Sequence, residues 1–353
     1  MNRQNRQIGL IILGICSIVV LFLFVNPRDV LISPKEPVEL DSGHRITMGT
    51  FARAVVIAPD AAARQCVEGA FAEIDKVDSL MSDYKSDSEL SKVNRTAFEH
   101  VVKVSQPTFE VLQKAIEFSE LSAGAFDITV GPLVDLWRAA GEANSPPTED
   151  ELQQAQSRVG YEKLILDANE MTVRFAVDGM RLDLGGIAKG YAIDKAIEAM
   201  QHHGAFGAMV DIGGDIRCFG VPPKERDTWR IGVQDPNHTE EFLASSAPLL
   251  VLNLTDAAIA TSGGYRRFAL IDGNKYSHII DRKTAVGAQS LSSVTIIAND
   301  AITADALATA VSVLGEEKGL ALIEKIPQTD AILISPPPDY RLLKTAGAKK
   351  YFK

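Results

Sequence analysis

The spacing of apolar residues changes near residue 160 of this chain, and that change restricts the fold more than any other feature. Before Gly160 the apolar side chains recur every three or four residues, the mark of helix faces. Val67, Ala70, Phe71, Ile74, Val77, Leu80 and Met81 form one such face within 61–81. Leu112, Ile116 and Leu121 form another after Pro107, with Gly124 placed as its cap. Thr148 and Glu151 make a capping-box pattern that opens a short helix ending near Gly160. Beyond it come short strand-like runs, KLILD, MTVRFAV and MRLDL, the last two joined by the hairpin signal Asp178-Gly179. A helix is expected from Ile187 to Met200, then strands in GAMVDIGG, IRCFG, TWRIGVQ and LLVLNL. A hairpin turning at Asp272-Gly273, a strand in SSVTIIA and a helix from Asp300 follow. Antiparallel hairpins mixed with helices predict an α+β fold, with mixed or antiparallel sheets flanked by helices, rather than a doubly wound parallel sheet.

The first residues follow a different logic. Ile8 to Val25 is an uncharged apolar run about long enough to cross a bilayer, and Arg3 and Arg6 precede it. The positive-inside tendency makes 1–7 a cytoplasmic N-terminus, 8–25 a transmembrane anchor, 26–38 a tether and 39–353 a folded domain outside. No small-x-small cleavage site follows, and Ile15 stands before Cys16 where a lipoprotein site needs a small residue, so an uncleaved helix is expected. A net charge of −10, with no basic run interleaved with aromatics, argues against a nucleic-acid partner. Cys66 and Cys218 show neither metal spacing nor a disulfide framework, and read as two buried small hydrophobes.

Four polar clusters interrupt the pattern. LDLGGIAKGYAIDKA, 182–196, puts Gly185, Gly186 and Gly190 around a helix start, where bare backbone suits a phosphate or pyrophosphate. It is neither GxGxxG nor a P-loop, and a tight strand-to-helix turn in an ordinary core would look similar. AFDITVGPLVDLW, 125–137, holds Asp127 and Thr129 inside an apolar run. VDIGGDI sets Asp211 and Asp215 about a glycine pair, which suits either a cleft lining or a bulge. The last cluster spans ATSGGYRRF, YSHIIDRKTA and ITADALATA. There His278, with Asp281 three residues on, suits a general base with a carboxylate nearby, or a structural strand histidine. Asp305 and Thr309, four apart on one helix face, can meet one hard cation such as Mg2+ or Ca2+, or simply bond locally.

In this order, MGT, SDYKSDSELSKVN, FDITVGPL, DLGGIAKGYAID, DIGGDI, TSGGY, YSHIID and ADALAT resemble the ApbE-type FAD:protein FMN transferases, from Thr47 to Gly315. The resemblance implies an ApbE or T-fold-like domain that binds FAD and uses Mg2+, with Ca2+ as the alternative. It implies transfer of FMN to a Thr or Ser hydroxyl of a target flavoprotein through a phosphoester bond, releasing AMP. It also implies a membrane-tethered protein of the inner membrane facing the periplasm. The implied acceptor is a flavoprotein such as a subunit of a membrane NADH:quinone reductase or an Rnf-type complex. Matched residue by residue, Met48, Tyr84, Ala125, Phe126, Asp127, Gly185, Gly186 and Tyr191 become FAD contacts. Asp305, Thr309 and the Ala188 carbonyl become metal ligands, and His278 stands near the reacting phosphate. There it would serve as base, with Asp281 to orient it. The family's usual Asp-Pro-x-Thr-Gly is here Asp281-Arg282-Lys283-Thr284-Ala285, which predicts a looser loop. A metal-dependent FAD pyrophosphatase and a non-catalytic FAD carrier are the rival readings, although a carrier has no use for a catalytic Mg2+ at Asp305 and Thr309.

Overall fold

Eight strands of the computed structural model form one antiparallel sheet whose spatial order is also the chain order. They are β1 (Val38–Thr47), β2 (Thr50–Ala58), β3 (Gly207–Ile212), β4 (Asp215–Gly220), β5 (Ala257–Ser262), β6 (Ser293–Ala298), β7 (Asp330–Ile334) and β8 (Leu342–Lys344). The structure describes residues 36–223, 226–236, 248–263 and 268–352. The expected anchor at 8–25, Cys16, and Gly264 and Tyr265 of the TSGGY motif lie outside the described residues. Among the described residues no helix is long and apolar enough to cross a membrane.

Apart from a 3-10 segment, Ala346–Phe352, that follows β8, the other described elements are inserted between neighbouring strands. Between β2 and β3 come α1 (Asp60–Met81), α2 (Glu89–Thr96), α3 (Gln106–Leu121), α4 (Gly131–Ala143), α5 (Glu149–Ser157) and α6 (Ala188–His202). A small sheet of Val102–Lys103, Leu164–Asp167 and Thr172–Phe175 accompanies them. The hairpin Trp229–Val233 with Leu250–Leu254 separates β4 from β5. Two short hairpins, Phe268–Ile271 with Asn274–Ser277 and Ile280–Asp281 with Val286–Gly287, separate β5 from β6. Finally α7 (Ala301–Ile323), interrupted at Gly315 where φ is 76°, links β6 to β7.

Alternation along the strands feeds two cores. Ala54, Val56 and Ala58 of β2 face a core shared with α1, α6 and α7, while Val55 faces the core beneath the Trp229–Val233 hairpin. A third cluster joins Leu133 and Trp137 of α4 to Ile271, Ile280 and Ala285 of the short hairpins. The α+β class is as expected, and Thr148 and Glu151 make the reciprocal capping box. Cys66 and Cys218 are buried and unpaired.

Two expectations fail for physical reasons. MRLDL is not a strand, and Asp178-Gly179 closes no hairpin. Asn94 of α2 takes both main-chain groups of Leu182 instead, accepting its N–H at 2.8 Å and donating to its carbonyl at 3.0 Å. A side-chain amide carries one acceptor and one donor group in the right places to replace a strand partner. GPLVDLW begins α4, with Pro132 in the first turn, where a missing N–H costs nothing.

Candidate active site

Backbone contact between the starts of α6 and α7 sets the site. A Cβ on Gly190 would fall well inside contact distance of the Ala301 carbonyl oxygen, so the helices approach with only backbone between them. The approach places the Gly190 N–H 3.0 Å from Asp305 Oδ2. One turn along α7, Thr309 Oγ1 faces Gly186, where a Cβ would stand 2.8 Å from it and 3.4 Å from Phe126 Cε2. Gly186, Phe126, Asp305 and Thr309 therefore meet where Ala188 opens α6. Gly190→Ala is expected to cost about 2–3 kcal/mol by forcing the helices apart, although alanine is the better helix former by up to about 1 kcal/mol. An unchanged denaturation midpoint would contradict the close approach.

The electrostatics of this place are organised around a cation. Asp305 is buried, 3% exposed, and burial pushes its carboxyl up to about 6 against the pull of Lys189. Lys189 Nζ lies 3.4 Å from Asp305 Oδ1 and donates to Asp215 Oδ2. Burial alone would pull the ammonium down, but the two carboxylates outweigh it and hold it charged. Asp215 Oδ1 accepts the Thr261 N–H at 3.2 Å. Among the described residues no three His, Cys, Asp or Glu side chains gather to hold a metal. The donors present are hard oxygens, the Asp305 carboxylate and the Thr309 hydroxyl, and Ala188 opens α6 two residues after Gly186. Such a set fits Mg2+, which takes one or two carboxylates and fills its remaining positions with water and substrate phosphates.

The other candidate contacts lie at different depths. Met48 and Gly49 turn β1 into β2, with φ of 49° and 68°, the two positive values of a type I′ turn. Methionine rarely occupies that region. A Cβ on Gly213 would lie 2.9 Å from Thr50 Oγ1, so this turn and the Gly213-Gly214 turn before Asp215 share one end of the sheet. Tyr84 is 82% exposed, with the Arg138 guanidinium 5.6 Å from its ring. Behind it, Arg181 joins Asp83, at 3.2 Å, to Asp135 of α4. An exposed ring with a cation beside it has one face open for stacking.

Ala125, Phe126 and Asp127 are buried, but Asp127 is occupied by the protein itself. Its Oδ1 accepts the Thr129 N–H at 2.8 Å and hydroxyl at 2.6 Å; its Oδ2 accepts the Tyr161 N–H at 2.9 Å and Arg282 Nη1 at 3.0 Å. Burial pushes the carboxyl up, and Thr129 and Arg282 pull it back. Phe126, its neighbour, is the residue of this segment that reaches Gly186. Gly185 donates to Asp183 Oδ1 at 2.7 Å, which fixes the turn into α6. Tyr191 is engaged elsewhere: its hydroxyl donates to Glu110 of α3 at 2.7 Å, and Lys195 Nζ lies 5.3 Å from its ring.

His278 is exposed on the link between the two short hairpins. Asp281 closes its own turn, Oδ1 accepting the Lys283 N–H and its carbonyl accepting the Ala285 N–H, both at 2.8 Å. The loop is tied rather than loose, because Gln156 donates to the Arg282 and Lys283 carbonyls at 2.7 and 2.9 Å and Trp137 donates to the Ala285 carbonyl at 2.7 Å.

Sequence reasoning missed the roles of Lys189 and Asp194. A lysine in the first turn of a helix opposes the helix dipole, and that misfit was the available signal that carboxylates stand beside it. Asp194 of α6 caps α7 from outside, accepting the Ala301 and Ile302 N–H groups at 2.9 Å each.

Known proteins share this sequence and fold. The ApbE family model matches residues 48–333. An FAD:protein FMN transferase of Treponema pallidum (strain Nichols) is 35% identical over 317 residues, 86% of either chain. One of Vibrio cholerae serotype O1 is 37% identical over 254 residues, 71% of this chain and 74% of that one. The crystal structure of the ApbE protein from Thermotoga maritima superposes with a TM-score of 0.78 at 31% identity, covering 90% of this chain and 99% of that one. The flavin transferase ApbE from Vibrio cholerae superposes with a TM-score of 0.76 at 32% identity and the same coverage. With most of its length matched in both sequence and structure, the chain belongs to the ApbE family.

Proposed function

We propose that this chain is an Mg2+-dependent FAD:protein FMN transferase, moving FMN from FAD to a Thr or Ser hydroxyl of a target flavoprotein and releasing AMP. The meeting of Gly186, Phe126, Asp305 and Thr309 carries the reading. Bare backbone at a helix start, suited to a pyrophosphate, lies against a carboxylate and a hydroxyl suited to Mg2+. The 35% and 37% identical relatives named FAD:protein FMN transferase support it.

The chemistry then assigns work to the residues. The acceptor oxygen bonds to the FMN phosphorus as the bond to the AMP phosphate breaks, and the hydroxyl proton must leave. His278, exposed where an acceptor arrives from solvent, takes that proton. Asp305, Thr309 and the Ala188 carbonyl would hold Mg2+, which supplies neutralisation of phosphate charge. Gly185 and Gly186 leave room for the pyrophosphate, Tyr84 offers a face for the flavin ring, Met48 closes one end of the sheet, and Phe126 keeps water from the Thr309 side. His278→Ala is expected to lower kcat by about 10²- to 10⁴-fold with FAD affinity unchanged; full activity would remove the histidine as base.

On this reading the run Ile8–Val25 anchors the chain in the inner membrane and the catalytic domain faces the periplasm. Its acceptor there would be a flavoprotein such as a subunit of a membrane NADH:quinone reductase or an Rnf-type complex. Chromatography of nucleotides after incubation with FAD and Mg2+ tests the reaction class. A transferase releases AMP only when a threonine-bearing acceptor is present. AMP with free FMN in its absence would indicate a pyrophosphatase, and no turnover at all a carrier.

A further inference from the structure

The tight turn Asp281–Ala285 lacks the residues that normally stiffen such a turn. A proline after Asp281 would preset φ on entry, and a glycine would suit position 285, where Ala285 sits at φ 58°. Besides the Gln156 and Trp137 bonds to the turn's carbonyls, Arg282 restrains it through its side chain. Its side chain is 18% exposed; Nη1 donates to Asp127 Oδ2 at 3.0 Å and Glu162 Oε2 at 2.9 Å, and Nη2 donates to Glu162 Oε1 at 2.9 Å. The guanidinium carbon lies 5.0 Å from the centre of the Tyr161 ring. A Cβ on Gly124 would overlap the guanidinium, so the chain leaving α3 is shaped around this side chain.

We infer that Arg282 is a positioning residue, which locks the His278 hairpin to the Phe126–Asp127 segment through a forked ion pair in place of backbone stiffness. The path is short: His278 and Arg282 belong to one hairpin link and turn, Arg282 grips Asp127, and Phe126 beside Asp127 touches the Gly186 and Thr309 position. A fork is required, because one guanidinium must satisfy two carboxylates in fixed directions, which an ammonium on a flexible stem does not. The consequence for catalysis rests on the transferase reading; the mechanical link does not.

The test compares the full-length wild type with Arg282→Lys and with Arg282→Pro/Ala285→Gly, by steady-state FMN transfer, thermal denaturation and hydrogen exchange. Arg282→Lys is expected to lower kcat by about ten- to a hundredfold, with KM for FAD nearly unchanged. Amides of 283–287 are expected to exchange about tenfold faster or more. Arg282→Pro/Ala285→Gly restores most of the kcat although it remains less stable than wild type. Loss of kcat in step with the melting temperature in both variants would reduce Arg282 to a general stabiliser and overturn the inference. Should the double variant fail to fold, Arg282→Lys decides through the kcat against KM split. Should the wild type transfer no FMN, the transferase reading falls and the exchange data alone decide: unchanged protection of 283–287 in Arg282→Lys overturns the link, and faster exchange there supports it.

Discussion

Asp305→Asn is expected to reduce FMN transfer by roughly 10²- to 10⁴-fold while the protein stays folded, the loss of several kcal/mol that a charge-neutralising metal contributes. Asparagine keeps an acceptor for the Gly190 N–H, now 3.0 Å from Oδ2, while it removes the charge and puts an NH2 in place of the other oxygen. Asp305→Ala also strands that N–H in the crossing of α6 and α7, at a further cost of about 1–3 kcal/mol in stability. The pair of variants separates chemistry from folding when initial rates and denaturation midpoints are measured together. Burial pushes Asp305 up to about 6, so below that pH a proton occupies the oxygen a cation needs. Transfer at limiting Mg2+ is expected to fall as pH drops through about 6 and to recover when Mg2+ is raised. Activity of Asp305→Asn within a small factor of wild type would remove this carboxylate from the site.

Asp194→Ala is expected to have the largest effect on stability, about 3–5 kcal/mol, the usual cost of stripping one partner from a buried ion pair. Its carboxylate is 8% exposed and accepts from Arg217 at 2.6 Å. It also satisfies the Ala301 and Ile302 amides, two of the N–H groups that a helix start leaves without partners inside the helix. Burial pushes this carboxyl up, and Arg217 and the two amides pull it back. Without it α7 loses its anchor on α6, and Asp305 and Thr309 lose their register with Gly186 and Gly190. Asp300→Ala is the control: Asp300 caps the same helix through the Thr303 N–H alone and should cost about 1 kcal/mol. Denaturant midpoints measure both, and equal losses would show that Asp194 is only another cap.

What the sequence revealed and what it hid divide along local and distant interactions. The helix Asp60–Met81 was legible because one face carries the whole apolar set and that face alone meets the core. The hairpin at Asp272-Gly273 was legible because its turn residues select it. The false hairpin at Asp178-Gly179 was not, because the partner that captured Leu182 is Asn94, 88 residues away. Site residues split the same way. The motif around Gly190 marks the right helix, but each residue turns the side chain by about 100°. Gly190 therefore meets α7, while Tyr191 points to Glu110 on α3. Asp127 stood out as a carboxylate inside an apolar run, yet its partners Tyr161 and Arg282 come from segments that only the folded chain brings together.

The most direct measurement is the intact mass of a threonine-bearing acceptor domain after incubation with the full-length chain, FAD and Mg2+. The predicted result is a gain of one FMN in ester linkage, absent with Asp305→Asn and absent when the acceptor threonine is replaced by valine. An acceptor of unchanged mass, with FMN and AMP both free in solution, would contradict it.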